Sequence, residues 1–328
     1  MPTSTLTTPC TSAPDLQLRF LQDVIESLSS SPKYLDPKYF YDAAGDKLFQ
    51  QIMQCPEYYP TRCEMEIIHQ QREEIIGSAC KYLPSFDVVE LGAGDATKSV
   101  HLLEAIMQTG MDFTYYPVDI SCNIISELEQ RLPQQLPGLK VHGLNGEYLE
   151  MLHQASELSE RNKLVLFMGA NIGNFDVKGA QQFCRQLRKV LRPGDLLLTG
   201  FDLKKHPKVI LDAYNDRQGF TRDFNLNLLH RINRELDADF DPMLFHHYPT
   251  YDPFTGECKS YLVSLEKQQV SIGKEAVIEF ERDECIYMEI SQKYSPEEIQ
   301  RLAYVSGFVP VGSFLDASGC FADCLWRV

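Results

Sequence analysis

The stretch FDVVELGAGDATKSV, residues 86–100, constrains this chain more than any other. Val88 and Val89 run into an acid at Glu90, Gly92 and Gly94 follow two apart, and Asp95-Ala96-Thr97 reads as the start of a helix. Strand, glycine turn and helix N-terminus in that order open a nucleotide-binding βαβ unit. A second apolar strand, Phe113 to Val118, ends on Asp119, where such folds grip a ribose through its hydroxyls. Thr97 stands where the third glycine of GxGxxG would be, so the tight pyrophosphate cradle is missing. What remains suits a cofactor with ribose and adenine but no phosphates, and S-adenosylmethionine is the common one. A βα turn without a ligand is the plain alternative; Asp119 weighs against it.

The formal net charge of −15 over 328 residues argues against nucleic acid and against anionic membrane surfaces, since both need clustered Lys and Arg. No apolar run approaches the length of a membrane span. The opening MPTSTLTTPCTSAPD has neither a basic n-region nor an apolar h-region, and residues 1–15 read as a disordered lead-in. The ten cysteines include no CxxC pair, and Cys320 and Cys324 have no second pair to complete a zinc set. They read as reduced thiols of a cytoplasmic protein, with no metal site. His246-His247, in an aromatic context, reads as structural.

Leu16 to Leu28 has helical apolar spacing, an irregular aromatic segment follows, and Cys63 to Lys81 reads as a second helix. From Phe86 to Phe201 strands and helices alternate, with strands near 86–91, 113–118, 139–144, 163–168 and 195–201. This pattern predicts an α/β fold, a Rossmann-like parallel sheet with helices on both faces and its ligand loops along one edge. Helical text over 207–233 gives way to short strands at 244–251, 260–267, 276–281 and 284–293, the mark of a second, smaller α+β substrate domain. The borders so drawn give 16–62 plus 202–293 to substrate and 63–201 plus 294–328 to the cofactor. A capped helix from Ser295 and two strands, 308–314 and 320–328, close the chain as a hairpin edge.

Several phrases together resemble the histidine Nα-methyltransferase family of the ergothioneine pathway. They are PKYFYDAAGDKLFQQI, PEYYPTR, ELGAGDATK, YYPVDIS, MGANIGNF, AYNDRQG, TRDFNLNLLHRINRELDADFD and MEISQKY, spread from about Leu18 to Val328. The resemblance implies transfer of three methyl groups from S-adenosylmethionine to the amine of L-histidine, giving hercynine; the chain is expected to be a monomer. It implies cofactor positions at Gly92, Lys98, Asp119, Glu147 and Tyr148, although the family usually has Asp-Phe at the last pair. It implies that Tyr58, Gly169, Asn174 and Tyr214 hold the substrate's amine and carboxylate, with Tyr58 and Asn174 serving catalysis. Glu289 and Ser291 fall where the imidazole is read, and Tyr41 lines the same end. Ser260 departs from the pattern, replacing a methionine beside the ring and leaving room for a larger one.

Each position has a plainer reading. Tyr58 and Tyr214 suit an amphipathic rim, Asn174 a turn or helix cap, and Glu289 the solvent face of an alternating strand. Methylation of tryptophan or tyrosine instead, or a cofactor-binding pseudo-enzyme, are the alternative functions.

Overall fold

In the computed structural model residues 13–328 are described. Residues 1–12 of the expected lead-in lie outside them, and residues 13–15 already belong to helix α1 (Ala13–Ser29). After it come β1 (Lys33–Tyr34), α2 (Ala43–Gln54) and α3 (Tyr59–Tyr82). The alternating region follows as β2 (Phe86–Leu91), α4 (Ser99–Gln108), β3 (Thr114–Asp119), α5 (Cys122–Gln135), β4 (Lys140–Val141) and β5 (Leu144–Asn145). It continues as α6 (Tyr148–Leu158), β6 (Asn162–Phe167), α7 (Val177–Val190) and β7 (Leu196–Asp202). Then come α8 (Pro207–Ala213), α9 (Phe220–Leu236), β8 (Phe245–Tyr251), β9 (Glu257–Ser264), β10 (Gln268–Ile272), β11 (Ala276–Phe280) and β12 (Cys285–Gln292). Helix α10 (Pro296–Ser306) and strands β13 (Val309–Leu315) and β14 (Phe321–Arg327) end the chain.

Contacts gather the chain into two units. One is Tyr58–Ile210 with Tyr251–Cys258 and Ile290–Val328; the other is the described chain up to Glu57 with Leu211–Thr250 and Lys259–Glu289. The spacing drew the borders after 62, 201 and 293; the first shifts because α3 starts at Tyr59 and packs on β7, β13 and β14.

The first of these units is built on an eight-stranded sheet in the order β13-β14-β7-β6-β2-β3-β4, with β5 also on β3. Strands β2 to β7 run parallel, and only β14 against β7 and β13 against β14 are antiparallel. All six residues of β2 are buried, as expected of a central strand covered on both faces. The strand expected over 139–144 is split in two. Gly143 breaks it, its N–H donating to Glu129 Oε1 at 2.8 Å instead of to a ladder partner. Helix α4 also starts four residues later than Asp95. Ala96 is left-handed at φ 53°, and the Asp95 carboxylate accepts from the Thr97 N–H at 3.0 Å, so the turn runs on to Lys98.

The other unit holds most of the four-stranded sheet β1-β12-β9-β8 and the hairpin β10-β11. The segment expected to be irregular contains α2, whose start is capped by Asp42 accepting from the Gly45 N–H at 2.7 Å. Its aromatic neighbours hid the helical period. The helical text over 207–233 is two helices. Asp216 accepts from the Phe220 and Thr221 N–H groups at 2.9 and 2.8 Å, and Gly219 at φ 81° makes the corner that starts α9. Strand β10 was not expected; QQVSI pairs residue for residue with β11. Among the described residues no helix is long and apolar enough to cross a membrane.

Candidate active site

The glycine turn lies at the C-terminal end of β2, in the middle of the parallel strands. Gly92 and Gly94 have φ of 75° and 52°, which an L side chain rarely adopts. A Cβ at Gly92 would meet Tyr148 Oη at 3.0 Å and Asn171 Nδ2 at 3.2 Å, whereas nothing lies within 4 Å of one at Gly94. Asp119, at the tip of β3, accepts from the Gly94 N–H at 3.2 Å and the Ser121 N–H at 2.9 Å, one on each carboxylate oxygen. Each oxygen keeps a second lone pair for a ribose hydroxyl. Burial pushes the Asp119 carboxyl above its ordinary range, against those N–H groups. Asn145 ties down the exit of β3, donating to the Asp119 and Ile120 carbonyls at 3.0 Å each. Tyr148 opens α6 with its ring edge-on to Phe167, and Glu147 precedes it, exposed. These residues fit a cofactor carrying ribose and adenine: a carboxylate, an open glycine and an aromatic ring meet at one strand edge.

Beneath the turn is a buried charge cluster whose main member is not among the expected site residues. Glu64 of α3, fully buried, pairs with the Lys98 ammonium and accepts from the Gly169 N–H at 2.7 Å. Burial works against the Lys98 charge, but Glu64 outweighs it and holds the pKa above its ordinary value. Lys98 therefore sits beside Gly169 with its charge already partnered. A signal for Glu64 was available: it falls on the same helical stripe as Ile67 and Ile68, where a lone acid is out of place. Asp323 of β14, also fully buried, has its pKa driven well up by burial and by the Glu64 charge.

Glu90, the acid that opens the motif, accepts from the Tyr115 hydroxyl, and burial pushes its carboxyl up to about 7. A carboxyl with a higher pKa folded than unfolded favours the fold while it is protonated. Its contribution is complete below about 4.5 and is lost as pH rises through about 7. Urea unfolding should therefore show wild type losing on the order of 2–3 kcal/mol relative to Glu90→Gln between about pH 4.5 and about pH 8. Parallel pH dependences for the two proteins would show that Glu90 titrates normally.

After β6 the chain turns through Gly169 and Ala170, at φ 76° and 59°, into a 3-10 turn over Asn171–Asn174. Ile172 anchors it in the core, and Gly173 lies so close to the next segment that a Cβ would meet the Gln292 carbonyl at 2.9 Å. Asn174 is exposed at the end of the turn. It is not the cap of α7; Asp176 is, accepting from the Gly179 N–H at 2.6 Å. Tyr58, half-buried, stands at the N-terminus of α3 without a side-chain capping bond. Ser291 accepts from the Lys293 ammonium at 2.7 Å, and Lys293 is in turn held by Asp202 at 2.7 Å, both fully buried. Tyr59 also donates to Asp202 at 2.9 Å.

Along β12, Ile286, Met288, Ile290 and Gln292 are buried while Tyr287, Glu289 and Ser291 are half-buried. The alternation is the expected one, but the polar face is partly covered, not bathed in solvent. Glu289 Oε1 accepts from Asn225 Nδ2 at 3.3 Å. Tyr41 is 45% exposed, its ring packed edge-on against Phe49 and Phe224. Tyr214 is half-buried just past α8, its N–H on the Leu211 carbonyl at 3.2 Å. Ser260 is buried, with its hydroxyl 3.3 Å from His247 Nε2. Burial pushes His247 down to about 4, so its ring is neutral and structural at pH 7.

The sheet order, the antiparallel last hairpin and the glycine turn facing Asp119 define a Rossmann-like, S-adenosylmethionine-dependent methyltransferase. A family model described as histidine-specific methyltransferase, SAM-dependent, matches residues 20–328, and the chain belongs to that family. It is 34% identical to a histidine N-alpha-methyltransferase of Mycobacterium tuberculosis, over 93% of each chain. It is 32% identical to ergothioneine biosynthesis protein 1 of Neurospora crassa, over 86% of this chain and 32% of that one. An L-tryptophan methyltransferase, trpM, of Psilocybe serbica is 26% identical over 93% of this chain and 90% of that one.

Proposed function

We propose that the chain transfers three methyl groups in turn from S-adenosylmethionine to the α-amine of free L-histidine, yielding hercynine for ergothioneine synthesis. The observation that carries this reading is the Glu289 carboxylate, fixed by Asn225 on the half-buried polar face of β12. A carboxylate so held favours a ring that offers an N–H over an apolar one. Membership of the family and the names of its relatives support the same substrate.

S-adenosylmethionine, when bound, supplies a methyl group already activated on a sulfonium, so alignment and exclusion of water are the protein's part. Asp119 would hold the ribose hydroxyls, Glu147 and Tyr148 the adenine, and Gly92 the close backbone approach, with Lys98 as the neighbouring cation. Tyr58 and Asn174 orient the substrate amine and Tyr214 takes its carboxylate; Gly169, whose N–H already donates to Glu64, would meet the amine through its carbonyl. Glu289 accepts from the imidazole N–H, with Ser291 and Tyr41 beside it. The nucleophile is the neutral amine. With a reference pKa of about 8 for an α-amino group, a minor neutral fraction exists at pH 7 and no strong base is needed. We read the enzyme as a cytoplasmic monomer; free thiols at every described cysteine suit a reducing compartment.

The 26% likeness to a tryptophan methyltransferase keeps an indole substrate as the second reading. Ser260 favours it less than the resemblance implied, because the His247 ring lies against that hydroxyl. Calorimetric titration of free amino acids into the protein saturated with S-adenosylhomocysteine separates the two. Histidine is expected to bind at least ten-fold tighter than tryptophan or tyrosine, from one charge-assisted hydrogen bond. Tighter binding of tryptophan would overturn the histidine reading.

A further inference from the structure

Asn225 lies in the first turns of α9, wholly buried. Its Nδ2 donates twice, to the Thr221 carbonyl at 3.0 Å and to Glu289 Oε1 at 3.3 Å. Both partners are acceptors, which fixes the amide: the nitrogen faces Thr221 and Glu289, and Oδ1 faces the other way. Among the described residues Oδ1 has no hydrogen-bond partner. Packing alone does not explain such a residue. Leucine has the same branched side-chain skeleton, forms helix better and leaves no buried acceptor unmet.

We propose that Asn225 is a positioning residue for substrate specificity: it holds the Glu289 carboxylate in the orientation that reads the substrate ring. The inference deepens the histidine reading and rests on it. The base of α9 is made rigid enough for this by Asp216, which accepts from the Phe220 and Thr221 N–H groups. Because α9 presents the amide and β12 presents the carboxylate, the pair joins a helix to a sheet edge within one unit. Without the amide, the carboxylate can swing toward water and lose its aim.

The test is a double-mutant cycle on kcat and KM for histidine and tryptophan, using wild type, Asn225→Leu, Glu289→Gln and the double variant. Asn225→Leu is expected to raise the histidine KM about ten-fold with kcat within about two-fold, and to leave the tryptophan KM unchanged or lower. In the Glu289→Gln background the same change should have little further effect, since the amide then has no carboxylate to aim. Affinity for S-adenosylhomocysteine should not move in any variant. Additive losses in the cycle, or a uniform fall in kcat for both amino acids, would overturn the proposal and leave Asn225 a packing residue. If Asn225→Leu does not fold, Asn225→Ser, which keeps a small polar group but cannot reach Glu289, gives the same reading. Should the wild type turn over tryptophan and not histidine, the substrate reading fails, and the Asn225–Glu289 coupling is decided on tryptophan.

Discussion

Asp119→Ala is expected to lower affinity for S-adenosylhomocysteine by about ten-fold to more than a hundred-fold while the protein stays folded. Hydrogen bonds to an ionised carboxylate are each worth roughly 1.5–3 kcal/mol, and about 1.4 kcal/mol is a factor of ten in affinity. The local structure adds to the effect. Asp119 bridges two turns by accepting from Gly94 and Ser121, so its loss also slackens the backbone that a ribose would rest on. Asp119→Asn keeps the shape and one acceptor, and should lie between the two. Calorimetric titration with S-adenosylhomocysteine reads both; a folded Asp119→Ala protein with unchanged affinity would remove Asp119 from the cofactor site.

Replacing Glu289 with Ala should reduce kcat/KM for histidine by about ten- to a hundred-fold and narrow or reverse the preference over tryptophan. The carboxylate is half-buried and already holds the Asn225 amide. An imidazole N–H adds a charge-assisted bond that an indole cannot place in the same way. Alanine removes that bond and opens space for a larger apolar ring, so the two substrates should move in opposite directions. Measured kcat/KM for histidine, tryptophan and tyrosine decides it. A mutant that keeps its histidine preference would show that other residues read the ring.

The large sheet was legible in the sequence because its signals are local. Valine and leucine runs bounded by glycine turns mark β2, β6 and β7, and acids at strand tips mark where ligands are met. The second unit was less so. Its aromatic residues crowd the segment around α2 and blur the 3.6 period, and β10, with the polar sequence QQVSI, carries no apolar alternation of its own. The spacing also ran α8 and α9 together, since Asp216 reads as one more helical acid until its two accepted N–H groups are seen.

The site divides along the same line. Gly92, Asp119 and Tyr148 sit at predictable points after strands, and they do meet around the glycine turn. Glu64 and Asn225 were missed because their importance comes from contacts far along the chain, to Lys98 and Gly169 in one case and to Glu289 in the other. Both are polar residues on buried helix faces, a pattern that local periodicity flags only when each misfit on an apolar stripe is followed up. Ser260 shows the converse. Its small side chain suggested spare room, but His247 lies against it from the neighbouring segment.

The reaction itself is open to direct observation. Incubating the protein with S-adenosylmethionine and an equimolar mixture of free histidine, tryptophan and tyrosine, then following each by mass spectrometry, tests it most directly. Histidine is expected to gain one, two and finally three methyl groups on its α-amine, with hercynine as the end product and the other two amino acids unchanged until histidine is spent. Methyl groups accumulating on tryptophan or tyrosine while histidine stays unmodified would contradict it.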